Sequence, residues 1–385
     1  MDFELTEEQL EIKRAVREFC LKEFTDEVMR RYAESEEFPW DLYRKAAQLG
    51  FIGIHMPEEY GGQGYGYLEN VLVTEEMVRA NPELGITLVF GDFGTELILM
   101  FGTEEQKRRY IPRITRGEGL SAAAFTEPSG GSDISKRLET VAVKEGDEWV
   151  INGSKMFITN ANISDFIIVL CQTDLEVEPP YRGQSLFIVD RGTPGVDVDK
   201  LTGKLGLKPS QTCSVSFSDV RVPEENLLGE LNRGFYHTLQ YLNESRLEIA
   251  AQGVGLAQGA LDMALKYAKE RTLFGEPLYR LQAVSHKLAD MAIKVEAARL
   301  LTYKAAWLAD QGETDPMISS MAKVYAARAG FEVVEEAAQI FGGYFFFEDY
   351  PIERFYRIAK VIEVYEGTKE VQKDTIARFL LKRPT

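Results

Sequence analysis

The feature that most limits the fold of this chain is the order of its hydrophobic periodicities, which change twice along 385 residues. In the first third apolar residues recur at helical spacing, starting after a capping signal at Thr6. From about Leu120 apolar and polar residues alternate, and residues 140–159 have the pattern of a β-hairpin. Beyond Gly234 long amphipathic runs return, with the lengths of bundle helices.

This order predicts an α+β fold of three domains, because a chain of this length usually divides among several cores. We expect an N-terminal helical domain over residues 1–119, a central β-barrel-like domain over 120–232 and a C-terminal four-helix bundle over 233–385. Gly253-Val254-Gly255 looks like part of a dinucleotide-binding fingerprint. It lies inside a helical stretch, so we interpret it as a point of close helix packing and expect no Rossmann domain.

Charge and composition exclude several classes of function. The chain carries 44 basic and 61 acidic residues, a net charge of −17, which argues against nucleic acid as a partner. No run approaches the ~20 consecutive apolar residues of a membrane span, so no membrane insertion is expected. Three scattered cysteines and three scattered histidines predict neither a metal site nor a disulfide, and favour a cytoplasmic location.

Two short segments have chemistry that composition alone leaves open. FTEPSGGSD (125–133) combines hydroxyls with consecutive glycines, which could bind an anion or could simply connect two domains. In EVYEGTKEVQ (363–372), Glu366 stands between Tyr365 and Gly367. That glutamate is either a solvated surface acid or a base positioned at a bend.

Seven segments, in order and spacing, resemble those of the FAD-dependent acyl-CoA dehydrogenase family. They cover nearly the whole chain: MPEEYGG (56–62), FTEPSGGSD (125–133), INGSKMFITNA (151–161), GLKPSQT (206–212), ERTLFG (270–275), QIFGG (339–343) and YEGT (365–368). The resemblance implies an acyl-CoA dehydrogenase-like fold and FAD as cofactor. It also implies an oxidoreductase that acts on a CH–CH group, the α,β-bond of an acyl-CoA thioester.

The resemblance further implies which residues contact FAD. Phe157 stands where the family usually places an indole over the flavin, and Arg271 supplies a charge that suits phosphate. Segments around Arg271 and Gln339 are expected to complete the cofactor site of a neighbouring protomer, so a homotetramer is expected. The expected contacts are Phe125, Thr126, Gly131, Ser132, Phe157, Thr159, Arg271, Phe274, Gln282, Gln339, Gly343 and Thr368.

By the same resemblance Glu366 is the catalytic base, which removes the α-proton while hydride leaves the β-carbon for flavin N5. Some members instead carry the base directly before an arginine, but here Ser245 precedes Arg246 and cannot serve. The expected substrate contacts are Asp92, Ser132, Asn243, Arg246, Tyr365 and Gly367.

Substrate specificity is predicted less fully. Positions 82–100 contain no Arg or Lys, which disfavours an acyl group with a distal carboxylate. Asp92 is either an exposed residue at a helix kink or a second acid in the acyl pocket. If Phe345, Phe346 and Phe347 reach that pocket, their bulk suits a cyclic or otherwise compact acyl group.

Electrons are expected to leave to an electron-transferring flavoprotein. The same fold also supports an enoyl-CoA reductase or an acyl-CoA oxidase, and these alternatives stay open. A catalytically inactive scaffold subunit is a third alternative. The joint presence of Glu366, FTEPSGGSD and ERTLFG argues against it.

Overall fold

The N-terminal part of the chain is helical, as the periodicity predicts. The computed structural model describes residues 4–382, so the domain limits predicted at residues 1 and 385 lie outside it. The capping box is present, with the Gln9 N–H donating to Thr6 Oγ1 over 3.2 Å. The helices are α1 (Glu7–Glu23), α2 (Asp26–Ser35), α3 (Trp40–Gln48), α4 (Tyr67–Ala80), α5 (Pro82–Val89), α6 (Thr95–Phe101) and α7 (Glu104–Thr115).

A mixed eight-stranded sheet forms the centre of the molecule. Its strands are β1 (Ser121–Ala124), β2 (Val141–Glu145), β3 (Glu148–Thr159), β4 (Phe166–Gln172), β5 (Gln184–Asp190), β6 (Val196–Lys200), β7 (Thr212–Pro223) and β8 (Leu227–Leu228). The order is β6-β7-β3-β2-β4-β5-β8, with β1 parallel to β4. The predicted hairpin is β2–β3. Strands β2 and β4 pair only through Val141 and Gln172, so the sheet divides into two halves.

Long helices return after the sheet. They are α8 (Gly234–Glu270), α9 (Gln282–Asp310), α10 (Pro316–Phe341), α11 (Ile352–Ile362) and α12 (Lys369–Lys382), and a hairpin of β9 (Thr272–Leu273) and β10 (Glu276–Pro277) separates α8 from α9. The sequence of helices, sheet and helices confirms the predicted fold class.

The glycines of α8 mark the place where three helices meet. A Cβ on Gly253 would come within 2.6 Å of the Ala326 backbone on α10. A Cβ on Gly255 would come within 2.5 Å of the Glu75 carbonyl oxygen on α4. These approaches confirm close helix packing as the role of Gly253-Val254-Gly255.

One segment bears on the expectation about membranes. Pro82–Phe101 is 20 residues long with a mean hydropathy of 1.6, which is enough by length and composition to cross a bilayer. However, 78% of this window is buried inside the protein, where α5, a 3₁₀ turn at Phe90–Asp92 and α6 form a wall of the core. Its apolar character is therefore accounted for by packing against the other elements.

Candidate active site

Glu366 lies in a tight turn that is fixed from two sides. Its own φ is +54° and that of Gly367 is +89°. The Lys323 ammonium, on α10, donates to the carbonyl oxygens of Tyr365 and Gly367 over 2.8 and 2.7 Å. From α12 the Gln372 amide donates to the Glu366 carbonyl oxygen over 3.0 Å. A Cβ at position 367 would come within 2.5 Å of that same amide, which explains the glycine.

The Glu366 side chain is held at the surface of α8. Ser245 Oγ donates to Glu366 Oε2 over 2.8 Å. Burial raises the pKa of the Glu366 carboxyl above its usual range, and the Ser245 hydrogen bond and the Arg246 charge only partly offset this. A carboxylate with a raised pKa is a stronger base than one in water, so the interpretation of Glu366 as a solvated surface acid is wrong.

Arg246 and Asn243 lie beside this turn. The Arg246 side chain is buried, and its Nη1 donates to Asn243 Oδ1 over 3.1 Å. Burial lowers the pKa of the Arg246 guanidinium and the Glu366 charge raises it. Its Nε has no hydrogen-bond partner within residues 4–382. On the other side of the turn the Tyr365 hydroxyl donates to Gln252 Oε1.

The loop 125–133 is anchored by an ion pair that sequence reasoning missed. Lys155 on β3 is completely buried, and its Nζ lies 3.1 Å from the Phe125 carbonyl oxygen and 3.2 Å from Glu127 Oε1. The Glu127 carboxylate also accepts from the backbone N–H groups of Glu139 and Thr140, at 3.0 and 2.8 Å. The sequence feature that could have indicated this ion pair is Lys155 itself, a lysine at an inward-facing strand position.

This anchoring leaves three of the predicted cofactor residues of the loop accessible to solvent: Thr126 is partly buried, and Gly131 and Ser132 are exposed. Phe125 is buried beneath the loop. The neighbouring β3 carries a register shift at which Phe157 adopts a φ of +61° and leaves 64% of its surface exposed. Thr159 follows in register with Thr212. An exposed ring beside exposed hydroxyls suits a flat, polar-edged ligand.

A second group of predicted cofactor residues surrounds a groove of about 380 Å³ at the end of α10. Arg271, Gln339 and Gly343 line it together with Lys287 and apolar side chains. The Arg271 guanidinium lies 5.4 Å from the centre of the Tyr344 ring. Cations beside apolar and aromatic walls suit a ligand that joins phosphates to a base.

Three more predicted residues lie outside this lining. Phe274, at the tip of the β9–β10 hairpin, is 93% exposed, and Gln282 is exposed at the start of α9. Thr368 instead precedes α12, where its Oγ1 accepts from the Val371 N–H at 3.4 Å.

The aromatic run after α10 does not narrow the acyl pocket from within this chain. Phe346 and Phe347 are 80% and 61% exposed, and Phe345 packs on the edge of the C-terminal core. Phe346 and Phe347 therefore do not reach a pocket within this chain, and these two rings give no support for a cyclic acyl group.

Asp92 is buried, with 6% of its surface exposed, so its interpretation as an exposed residue is wrong. Burial raises the pKa of its carboxyl to about 7, the nearby Glu96 raises it as well, and His55 lowers it. Three further acids, Glu96, Glu244 and Glu248, lie close by and were missed in the sequence. Their repeat at four-residue spacing, 92 with 96 and 244 with 248, was the available signal.

Comparisons with known proteins agree along the whole length of the chain. Residues 6–118, 122–220 and 232–381 match the N-terminal, middle and C-terminal domains of acyl-CoA dehydrogenase. An acyl-CoA dehydrogenase of Bacillus subtilis is 42% identical over 98% of this chain and 99% of its own. A subunit of the caffeyl-CoA reductase-Etf complex of Acetobacterium woodii is 41% identical over 98% and 99%. The structure of butyryl-CoA dehydrogenase from Megasphaera elsdenii aligns with a TM-score of 0.94 and 38% identity, covering 99% and 100%.

Proposed function

The chain belongs to the acyl-CoA dehydrogenase family, and from that premise we propose that Glu366 is the base of its reaction. The protein is an oxidoreductase that acts on the CH–CH bond next to the thioester of an acyl-CoA. The observation that carries the assignment of the base is the half-buried Glu366 side chain, whose carboxyl is held by Ser245 and raised in pKa.

The residues fit FAD, the cofactor of this family. The groove with Arg271 and Lys287 supplies positive charge for a pyrophosphate, and Phe157 offers an exposed ring face for the flavin. When bound, the flavin supplies an acceptor for the hydride from the β-carbon. The Lys155–Glu127 pair keeps the loop 125–133 in place, so Thr126 and Ser132 are available on its accessible side.

The chain's own part in the reaction is to move the α-proton. Ser245 orients the Glu366 carboxylate through one oxygen, and we assign the other oxygen to the α-proton. The turn that carries Glu366 is rigid because Lys323 and Gln372 hold its carbonyl groups. A base held in this way loses little entropy on reaching the transition state.

The same residues support the reverse reaction, and one relative favours it as a second candidate. A relative at 41% identity is a subunit of a complex that is named for caffeyl-CoA reduction and for Etf. In reduction the protonated Glu366 would deliver a proton to the α-carbon, by microscopic reversibility. For either direction we propose an electron-transferring flavoprotein as the redox partner, and the three buried, free thiols suit a cytoplasmic location.

We also propose a homotetramer. Phe274 and Arg271 lie at an exposed hairpin, and the Phe274 ring, which is 93% exposed, is available for contact with a partner chain. Light scattering should show four chains per particle, each with bound FAD. A monomer that retains flavin would contradict the assembly.

The experiment for the base is Glu366→Gln, which keeps the size of the side chain and removes the basic oxygen. FAD content should stay at the wild-type level, while the rate of anaerobic flavin bleaching by butyryl-CoA should fall by at least about 10²–10⁴-fold. Glu118→Gln is the control, since Glu118 is exposed and lies outside the site. Bleaching of Glu366→Gln at the wild-type rate would overturn the assignment.

A further inference from the structure

A small cavity lies between α4, α6 and α8. It measures about 10 Å³, room for one group about the size of a water molecule. Two of its three walls, α6 and α8, carry carboxylates, and none of the described residues that line it is Lys, Arg or His. The lining consists of Tyr67, Asn70, Val71, Glu96, Glu244, Ser245, Leu247 and Glu248.

Glu96 has an unsatisfied oxygen in this cavity. The residue is 8% exposed, and its Oε2 is buried without a hydrogen-bond partner within residues 4–382. Its Oε1 lies 3.4 Å from His55 Nε2; burial lowers the pKa of that imidazole, but Glu96 more than offsets this and raises it, so His55 compensates this oxygen and not Oε2. A buried carboxylate oxygen without a donor is costly, so this atom points to a missing partner.

Glu248, on α8, also lacks a strong hydrogen-bond donor. It accepts a long hydrogen bond of 3.4 Å from Gln252. Burial and the charges of Asp92, Glu96 and Glu366 all raise the pKa of the Glu248 carboxyl. Glu244 is better satisfied, because the Tyr67 hydroxyl donates to it. The acids thus share one low-dielectric space, where like charges repel strongly.

The cavity adjoins the catalytic turn. Ser245 both lines the cavity and donates to Glu366, so the cavity and the base lie on two sides of one serine. Aromatic rings form a wall nearby, with Phe90 5.6 Å from Tyr365 and Phe93 5.8 Å from Tyr241 between ring centres. Tyr365 connects these rings to the catalytic turn, since it directly precedes Glu366.

The chemistry of the end group can be decided by charge. A methyl end would leave the Glu96 and Glu248 carboxyls desolvated without compensation. A carboxylate end would add another negative charge. A metal ion is not favoured, since residues 4–382 contain no group of three or more side chains that could hold one. An organic cation is the end group whose positive charge compensates the negative charge of these walls.

We propose that this cavity binds a small positively charged group, such as a primary ammonium, at the far end of the acyl chain of the substrate. The inference rests on the proposed function, because it names the acyl group that is dehydrogenated at Glu366. It gives Glu96 Oε2 the partner that this atom lacks within residues 4–382. It also agrees with the absence of Arg and Lys from positions 82–100.

The test compares matched acyl-CoAs on the FAD-loaded enzyme. ω-Ammonio acyl-CoAs of three to six acyl carbons, kept in acid until mixing, are paired with acyl-CoAs that carry a methyl in place of the ammonium. At the best length we expect kcat/KM for flavin reduction to be at least about tenfold higher for the cation. In Glu96→Gln/Glu248→Gln the preference should disappear, whereas Glu118→Gln, which removes an exposed charge, should keep the wild-type ratio.

A binding measurement separates this inference from the proposed function. When a cation binds, carboxyls that hold protons should release them, and a pH dye should report this for the ω-ammonio acyl-CoA but not for its methyl partner. Proton release without flavin reduction would support the cation site and contradict the dehydrogenation. Equal affinity, equal kcat/KM and equal proton release for both members of every pair would overturn the cation site, even if both reduce the flavin.

Discussion

Two groups of buried carboxylates in this protein differ in their partners. On α4, Glu75 accepts from Lys13 at 3.1 Å, from Arg299 at 3.2 Å and from the Tyr303 hydroxyl at 2.7 Å. Burial alone would raise the pKa of Glu75, but these cations hold it below the usual range. At the small cavity between α4, α6 and α8, the pKa of Glu248 is raised, and no cation is among the causes.

The difference distinguishes carboxylates that stabilise the fold from carboxylates that are available for function. Glu75 and Glu127 each bring their own cation, so their charges are complete within the chain and fix elements together. Glu96 and Glu248 line one cavity that holds no cationic side chain among the described residues, and Glu366 lies across Ser245 from it. Carboxyls with perturbed pKa values occur often at functional sites, where a ligand or a proton provides the positive charge or hydrogen bond that the fold does not.

The largest expected effect is on stability at Glu75. Glu75→Gln leaves Lys13 and Arg299 beside an uncharged amide, and breaking a buried pair from one side costs about 3–5 kcal/mol. We expect a clearly lower denaturant midpoint. Glu7→Gln, which removes the partner of Arg14 in an exposed pair, is the control and should stay within about 0.5 kcal/mol of the wild type. An unchanged midpoint for Glu75→Gln would contradict the structural role.

The next effect is the pH dependence of stability due to Asp92. Its pKa is raised to about 7 in the folded protein, so between about pH 4 and pH 7 the folded chain binds more protons than the unfolded chain. Stability from this group is therefore lost as pH rises through that window. Asp92→Asn should reduce the fall in melting temperature between pH 5 and pH 7, and an unaltered profile would count against a buried, protonated Asp92.

Ser245→Ala should shift the activity profile. The Ser245 hydrogen bond lowers the pKa of Glu366, so its loss should raise that pKa further. The ionised carboxylate is the base, and flavin bleaching therefore rises with pH through the pKa. We expect this limb to move to higher pH, with equal rates on the alkaline plateau. Equal loss at every pH would indicate damage to the site instead.

The smallest effect is expected at Glu248. Glu248→Gln removes a carboxyl that lacks a cation, so at neutral pH the free energy of unfolding should stay unchanged or rise by up to about 1 kcal/mol. Denaturant midpoints at pH 7 provide the measurement. A loss of stability as large as that of Glu75→Gln would contradict the difference between the two groups of carboxylates.

Much of the fold follows from local signals in the sequence. The capping box at Thr6 and the turn of the β2–β3 hairpin are determined by neighbouring residues, and both occur as predicted. The family motifs also led to Glu366, but its burial depends on α8, which is 121 residues away at Ser245.

The rest depends on contacts between distant segments. Lys155 and Glu127 meet only when the loop 125–133 folds against β3, and Glu96 meets Glu248 only when α6 packs near α8. The outward direction of Phe346 is set by a 3₁₀ turn that its apolar side chain does not predict.

The most direct test of the central claim is α-proton exchange without oxidation. A 3-thia-acyl-CoA has sulfur in place of the β-carbon, so no β-hydride can leave and only the action of the base is observed. In D₂O the FAD-loaded wild type should exchange the α-protons of this analogue, detected by mass spectrometry, and Glu366→Gln should not, while Glu118→Gln, at an exposed position, should resemble the wild type. Exchange by Glu366→Gln at the wild-type rate would show that another group removes the proton.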